Sequence, residues 1–140
     1  MNLGTNAFHA MQESGGVLGI RVTQVDIGAE AILGSPDLNP GLYVRIDVSD
    51  TGHGMDEQVR QRIFEPYFTT KESGHGLGLS AVLGIIHSHR GSLQINSRPG
   101  QGSCFQIYLP ISQHMALTTT AGNGVPQSAT SNTMILVIED

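Results

Sequence analysis

The sequence predicts an α+β fold, a two-layer α/β sandwich with a mixed sheet. Three observations carry that expectation. Residues 17–27 and 42–49 alternate apolar and polar positions with the period of a half-buried strand. Residues 76–90 carry a strong apolar stripe at helical spacing. Two further strand patterns, 92–97 and 103–109, flank Pro99-Gly100-Gln101-Gly102 and read as a hairpin. The 140 residues, 39% of them apolar, suffice for one core and leave no room for two complete domains.

Taken in order, residues 1–14 read as a helix, with Leu3, Ala7, Ala10 and Met11 on one face and Gly15-Gly16 at its end. No capping residue precedes it, so the chain is expected to begin inside that helix. Residues 17–27 form the first strand, with Ile20 and Val22 among its β-branched positions. Residues 28–41 are a loop holding Pro36 and Asn39-Pro40-Gly41. The second strand, 42–49, places Leu42, Val44, Ile46 and Val48 on one face and breaks at Asp50-Thr51-Gly52-His53-Gly54. Residues 56–64 form a short helix with Asp56 and Glu57 in its first turn. Residues 65–75 are irregular, and 76–90 form the apolar helix, ended by Gly91 with His87 and His89 near its favourable C-terminus. After the hairpin, residues 112–133 are Ser, Thr, Ala, Gly, Asn, Gln and Pro with hardly a charge, the composition of a flexible linker. The apolar run 134–138 reads as a buried parallel strand.

Composition excludes several function classes. A net charge of −5 with a single lysine, Lys71, argues against a phosphate-backbone binder, so no nucleic acid is expected. One cysteine, Cys104, rules out an internal disulfide framework and a Cys-based zinc site. No apolar run approaches the roughly 18 residues of a membrane span, so no membrane contact by this segment is expected, and Met1 is not followed by a signal-peptide pattern. Glycine is abundant, 18 of 140, against about 7% in an average chain.

Four constellations carry chemistry. In Asp50-Thr51-Gly52-His53-Gly54 a carboxylate at a strand end precedes two glycines, which admit a ligand close to backbone; the same pentapeptide also suits an ordinary turn. Gly74-His75-Gly76-Leu77-Gly78-Leu79 opens an apolar helix with glycines at alternate positions, exposing successive N–H groups where an anion is favoured. It is neither the dinucleotide fingerprint nor a Walker loop. Asn2 and Asn6 lie one helical turn apart; an amide oxygen suits Mg²⁺ beside a polyphosphate, while two amides also suit a polar helix face. Phe64-Glu65-Pro66-Tyr67-Phe68-Thr69-Thr70-Lys71 sets aromatics and a proline before the sole lysine, and reads otherwise as a loop tucked by its aromatics.

In this order the four pieces resemble the N box (Asn2 to Ala7), first glycine box (Asp50 to Met55), F box (Phe64 to Lys71) and second glycine box (Gly74 to Ser80) of the catalytic ATP-binding domain of bacterial sensor histidine kinases. That domain has the Bergerat-type fold shared with Hsp90, type II topoisomerases and mismatch-repair ATPases, and the F box points to the kinase branch. The resemblance covers residue 2 to about 110. It implies ATP and Mg²⁺ as cofactors. Asn6 would ligate the metal with Asn2 supporting it. Asp50 would accept from the adenine amine in a pocket shaped by Gly52 and Gly54. Gly74, Gly76 and Gly78, with Leu77 between them, would bring N–H groups to the triphosphate under a mobile lid, residues 55–75. Lys71 and His9 are candidate phosphate neighbours. His75 stands where threonine is usual, and His53 occupies a variable, solvent-facing position.

The resemblance also implies what lies outside the chain. The domain, residues 1–111, is expected to be incomplete at its N-terminus, lacking a strand and the start of the N-box helix, and the dimerisation domain with its phosphoacceptor histidine would lie further upstream. Residues 112–133 would be the linker. Met134 to Asp140 resembles the first strand of a response-regulator receiver domain, which makes the parent a hybrid kinase. The implied partners are ATP, the dimerisation domain, and the receiver domain or a response regulator; the implied compartment is the cytoplasm, with any membrane anchor upstream. No histidine here sits in an acceptor-like helical context, so no catalytic residue is assigned and the fragment alone is not expected to phosphorylate itself. A non-catalytic nucleotide-binding module and an ATP hydrolase are the alternatives. Hydrolysis would need a carboxylate on the N-box helix, and residues 1–12 contain none.

Overall fold

A computed structural model of the chain describes residues 2–28, 38–70, 74–111 and 134–139. The elements are α1 (Asn2–Ala10), β1 (Val17–Ile27), β2 (Gly41–Asp50), α2 (Glu57–Arg62), α3 (Gly78–Ser88), β3 (Ser92–Ser97), β4 (Ser103–Pro110) and β5 (Met134–Glu139). The α+β fold class stands. The expected linker, 112–133, and most of the expected loop 28–41 lie outside the described residues.

Helix α1 is shorter than the pattern over 1–14 suggests. The Ala10 carbonyl, which a longer helix would use internally, accepts from the backbone N–H of His53 at 3.1 Å. The Gln12 N–H reaches back only three residues, to His9 O, which tightens the chain into a turn. Helix α2 starts one residue after Asp56, whose carboxylate accepts from the Val59 N–H at 2.8 Å as an N-cap. At the end of α3 the left-handed residue is Arg90, at φ 55°, and not Gly91. Gly91 serves close approach instead: a Cβ there would lie 2.5 Å from the Tyr108 carbonyl oxygen.

Among the described residues the sheet has the order β3-β4-β2-β1-β5, and every ladder is antiparallel. This corrects the expected mixed sheet. The passage from β2 through α2 and α3 does bring β3 back in the direction of β2, as a helical crossover should. Strand β4 then inserts between them, so the two like-directed strands never share hydrogen bonds. The apolar run at 134–138 is likewise not a parallel strand; it pairs antiparallel with β1, Met134 opposite Val22 and Glu139 opposite Val17.

Register divides the sheet into two faces. Val44, Ile46 and Val48 of β2 stand beside Leu109, Ile107 and Phe105 of β4, and α1 and α3 cover this side, with Ile86 and Phe105 buried. The opposite face is polar over much of its area: Arg45 pairs with Asp47 at 3.1 Å, and Gln106 donates to Asp47. At one end it turns apolar, where Ile27, Leu38 and Tyr43 pack with Val25 and Tyr108. Among the described residues no helix is long and apolar enough to cross a membrane.

The β3–β4 hairpin is pinned across the end of β2. Gly100 donates to His53 O at 2.7 Å, and the Ser97 hydroxyl donates to Gly102 O at 3.0 Å. Gly100 and Gly102 both have left-handed φ, 73° and 79°, but only Gly102 is crowded: a Cβ there would strike the Asp50 carbonyl. Gly100→Ala should therefore cost about 1–2 kcal/mol, the left-handed penalty alone. Gly102→Ala should cost more than twice as much, because backbone must also move. Urea denaturation of both variants checks the ranking, and equal costs would contradict it.

Candidate functional site

The site grows from the end of β2. Asp50 is the last residue of that strand and is buried, and its Oδ1 accepts from the Gly52 N–H at 2.9 Å. Gly52 and Gly54 have no room for a side chain. A Cβ on Gly52 would lie 2.6 Å from both Cβ and O of Ala10, and one on Gly54, φ 67°, would strike the Arg98 carbonyl. The turn is thus clamped between the end of α1 and the β3–β4 hairpin. Gly16 closes the third side, since a Cβ there would come within 2.5 Å of Met11 Sδ and Thr51 Oγ1. Thr51 Oγ1 in turn accepts from the Val17 N–H at 2.9 Å, tying the start of β1 to the residue after Asp50.

A second clasp joins α1 to the glycine loop. Asn2 Nδ2 donates to Gly78 O at 2.9 Å, so the first residue of α1 holds the first residue of α3. The loop before α3 is anchored at Gly76, φ 65°, whose carbonyl accepts from the Tyr67 N–H at 2.9 Å and whose missing Cβ leaves space for the Tyr67 carbonyl carbon. Tyr67 itself takes φ 69°, a strained value for a non-glycine residue, and its ring is exposed. Beside it the Arg62 guanidinium stacks over the Phe68 ring, 4.4 Å from its centre.

The structure sets two groups of the predicted residues against the two ends of α1, the Asp50 turn against Ala10 and Gly78 against Asn2. Asp50, Gly52 and Gly54 form the first group, and α1 with Asn6 crosses beside them. Asn2, Gly76, Leu77 and Gly78 form the second. Asn2 is engaged as the clasp on Gly78, a more definite task than supporting Asn6. Gly74 and His75 are exposed, as are Leu77 and His53. His9 lies on the open face of α1, with its ring edge-on to Phe8 and Nδ1 3.4 Å from Gln12 Oε1. Lys71 falls outside the described residues. Sequence reasoning missed the parts played by Thr51, Gly16 and Gly102. The glycine pairs in Gly15-Gly16 and Gly100-Gln101-Gly102 were the available signal, read there as helix stop and turn.

Two chemical capacities follow. Burial raises the Asp50 carboxyl above its ordinary value of 3.8, against the lowering influence of the Gly52 and Ser103 N–H groups and of His53. Above that raised value the group is an anionic acceptor in a confined site, suited to an amine donor. Helix α3 begins without a side-chain cap, Leu77 being the N-cap residue, so the first N–H groups of an eleven-residue helix point into the glycine loop. Such a terminus favours an anion.

A family model described as "Histidine kinase-, DNA gyrase B-, and HSP90-like ATPase" matches residues 1–113. The sensor kinase CckA of Brucella abortus is 44% identical over 112 residues, which cover 79% of this chain and 12% of that protein. The solved structure of the mycobacterial sensor histidine kinase MprB is similar with a TM-score of 0.58 and 27% identity, over 78% of this chain and 65% of that one. Full-length ShkA in complex with AMPPNP is similar with a TM-score of 0.56 and 32% identity, over 78% of this chain and 20% of that one. The chain thus spans about one eighth of the CckA sequence it matches.

The environment of Asp50 makes a prediction about pH. Because the folded state raises its pKa, the folded chain binds more proton than the unfolded chain between 3.8 and the raised value. Stability contributed by this group is full below 3.8 and is lost as pH rises through the raised value. Asp50→Asn, which keeps the acceptor oxygen and cannot ionise, should abolish that decline. Thermal melts of both proteins from roughly pH 3 to 6 test it, and parallel profiles would contradict the assignment.

Proposed function

The chain belongs to the histidine kinase-, DNA gyrase B- and HSP90-like ATPase family, and from that premise we propose that its site holds Mg-ATP for phosphoryl transfer to a histidine on a dimerisation domain of the parent kinase. The observation that carries this reading is Asp50, a buried acceptor at a strand end, with glycine backbone packed too closely beside it for any side chain. The relatives named as sensor kinases and the AMPPNP complex of ShkA support it.

Asp50 accepts from the exocyclic amine of adenine, which orients the base at the end of β2. The α3 N-terminus, reached through Gly74, Gly76 and Gly78, faces the phosphate chain, with His75, His9 and Lys71 as neighbouring donors. Asn6 supplies a neutral, hard amide oxygen from α1, one turn beyond the Asn2 clasp. That donor suits Mg²⁺, which keeps most of its shell as water and phosphate oxygen and takes few protein ligands. When bound, the ion neutralises charge on the phosphates. The contribution of these residues is positioning, which supplies much of the catalysis in phosphoryl transfer.

The parent is read as a cytoplasmic two-component kinase, bacterial by its relatives, with a receiver domain or a response regulator as its downstream partner. The receiver reading of residues 134–140 rests on the resemblance of those seven residues. ATP turnover with an added dimerisation domain separates a kinase from a binding module or a hydrolase.

Two substitutions test the site. Asp50→Ala should weaken ATP binding by about 1.5–3 kcal/mol, the scale of a hydrogen bond to a charged group, and remove the preference for ATP over GTP, whose keto oxygen would face the carboxylate as acceptor against acceptor. Calorimetric titration with both nucleotides reads this; a preserved preference with lowered melting temperature would reduce Asp50 to a turn residue. Asn6→Asp should damage binding of Mg-ATP more than binding of metal-free ATP. Equal weakening in magnesium and in EDTA would remove Asn6 from the metal.

A further inference from the structure

Three polar groups meet at the hydroxyl of Ser97, the last residue of β3. It accepts from the Met55 N–H at 2.8 Å, donates to Gly102 O at 3.0 Å and lies 3.0 Å from the Ser103 hydroxyl. A serine hydroxyl has one proton and two acceptor lone pairs, which fixes how these contacts are shared. The Gly102 carbonyl has no proton to give, and two oxygens 3.0 Å apart need one between them, so the Ser97 proton points there. The Met55 N–H takes one lone pair. In the remaining contact Ser103 donates to the other lone pair. Ser103 is itself buried, and with its one proton directed at Ser97 its oxygen keeps acceptor capacity alone.

Register puts that oxygen beside Asp50. Ser103 is the Cα partner of Asp50 across β2 and β4, and of Ser97 across β3 and β4. Partners in an antiparallel pair turn their side chains to one face, so Ser97, Ser103 and Asp50 form a row across three strands. The row lies on the side covered by α1 and α3, two residues along from the Val48–Phe105 pair. The Ser103 N–H already lowers the Asp50 pKa as a hydrogen-bond donor, which places the two residues in contact. Neighbouring strands are about 4.8 Å apart. One amine with two N–H bonds can serve two acceptors at that separation, directly or through a water. A keto oxygen there would meet lone pairs from both.

We infer that Ser97 is a positioning residue that acts through Ser103: it fixes the Ser103 hydroxyl as a second acceptor beside Asp50, and so selects a ligand that presents an amine there over one that presents a keto group. The selection half of this inference rests on the nucleotide reading; the polarity of the Ser103 hydroxyl does not.

The test compares Ser97→Ala, Ser97→Thr, Ser103→Ala and the double variant Ser97→Ala/Ser103→Ala in the full chain. Carboxyl NMR follows the titration of Asp50 without nucleotide; its titratable neighbours, His53 on the turn and Cys104 on β4, are unchanged throughout. In Ser97→Ala the freed Ser103 hydroxyl turns to the carboxylate, and that donated bond should lower the Asp50 midpoint. Ser97→Thr keeps the hydroxyl and should keep the wild-type midpoint. The double variant should lose the lowering, because no hydroxyl remains to donate. An unmoved midpoint in Ser97→Ala, or an equal fall in the double variant, would overturn the polarity; the second result would mean water entering a loosened turn. Calorimetric titration with ATP and GTP reads the selection. The preference for ATP should fall about three- to tenfold, the scale of one net hydrogen bond, in Ser97→Ala and in Ser103→Ala, and should survive in Ser97→Thr. Ser103→Ala leaves the Met55 and Gly102 bonds of Ser97 in place, so it carries the selection test if Ser97→Ala does not fold. A preference preserved in Ser103→Ala would overturn the selection with the polarity intact. Failure of the wild-type chain to bind ATP would fault the nucleotide reading and the selection with it, while the Asp50 midpoints would still decide the polarity.

Discussion

Three stretches of backbone meet at the end of β2 with no space for a side chain between them, and most of the site depends on that contact. Gly52 lies against the Ala10 carbonyl, Gly54 against Arg98, and Gly102 against the Asp50 carbonyl. Hydrogen bonds hold the approach: His53 to Ala10, and Gly100 to His53. The consequence for Asp50 is direct. With the hairpin beneath it and the helix beside it, its carboxylate is partly desolvated, which raises its pKa and gives the acceptor a defined direction. A looser turn would leave the group solvated, where a hydrogen bond to a ligand contributes little net energy.

The sheet explains why helices and glycine loops converge at one end. Because β4 sits between β2 and β3, the passage through α2 and α3 spans two strands, and the start of α3 is carried back toward α1. The Asn2 to Gly78 bond closes that circuit. The loop between α2 and α3 is then restrained by a backbone bond from Tyr67 to Gly76, each in a left-handed conformation. Strain at Tyr67, of order 1–3 kcal/mol, is held by that bond and by the Arg62–Phe68 stack at the base of the loop. Tyr67 is thereby tied to Gly76 just before α3, and Phe68 to Arg62 of α2.

Much was legible in the chain itself. Period-two alternation located β1 and β2 to within a residue, and the turn glycines located the β3–β4 hairpin, because these signals are set by the residues on one strand or one turn. The Asp-Thr-Gly-His-Gly and Gly-His-Gly-Leu-Gly runs were legible as candidate ligand loops, and Gly52, Gly54 and Gly76 do stand where backbone approaches backbone or takes positive φ. Family membership followed from the order of the boxes. What tertiary structure decided was every feature involving two distant segments. Helix α1 stops at Ala10 because His53, 43 residues later, takes its carbonyl; no local pattern encodes that. Asn2 and Asn6 are alike in sequence, yet only contact with α3 gives Asn2 its role as a clasp. The sheet is antiparallel, not mixed, because strand order depends on where β4 inserts, and MILVI reads the same whether its neighbour runs with it or against it. Side-chain periodicity specifies a face; pairing direction is specified by a partner, and only the folded chain contains one.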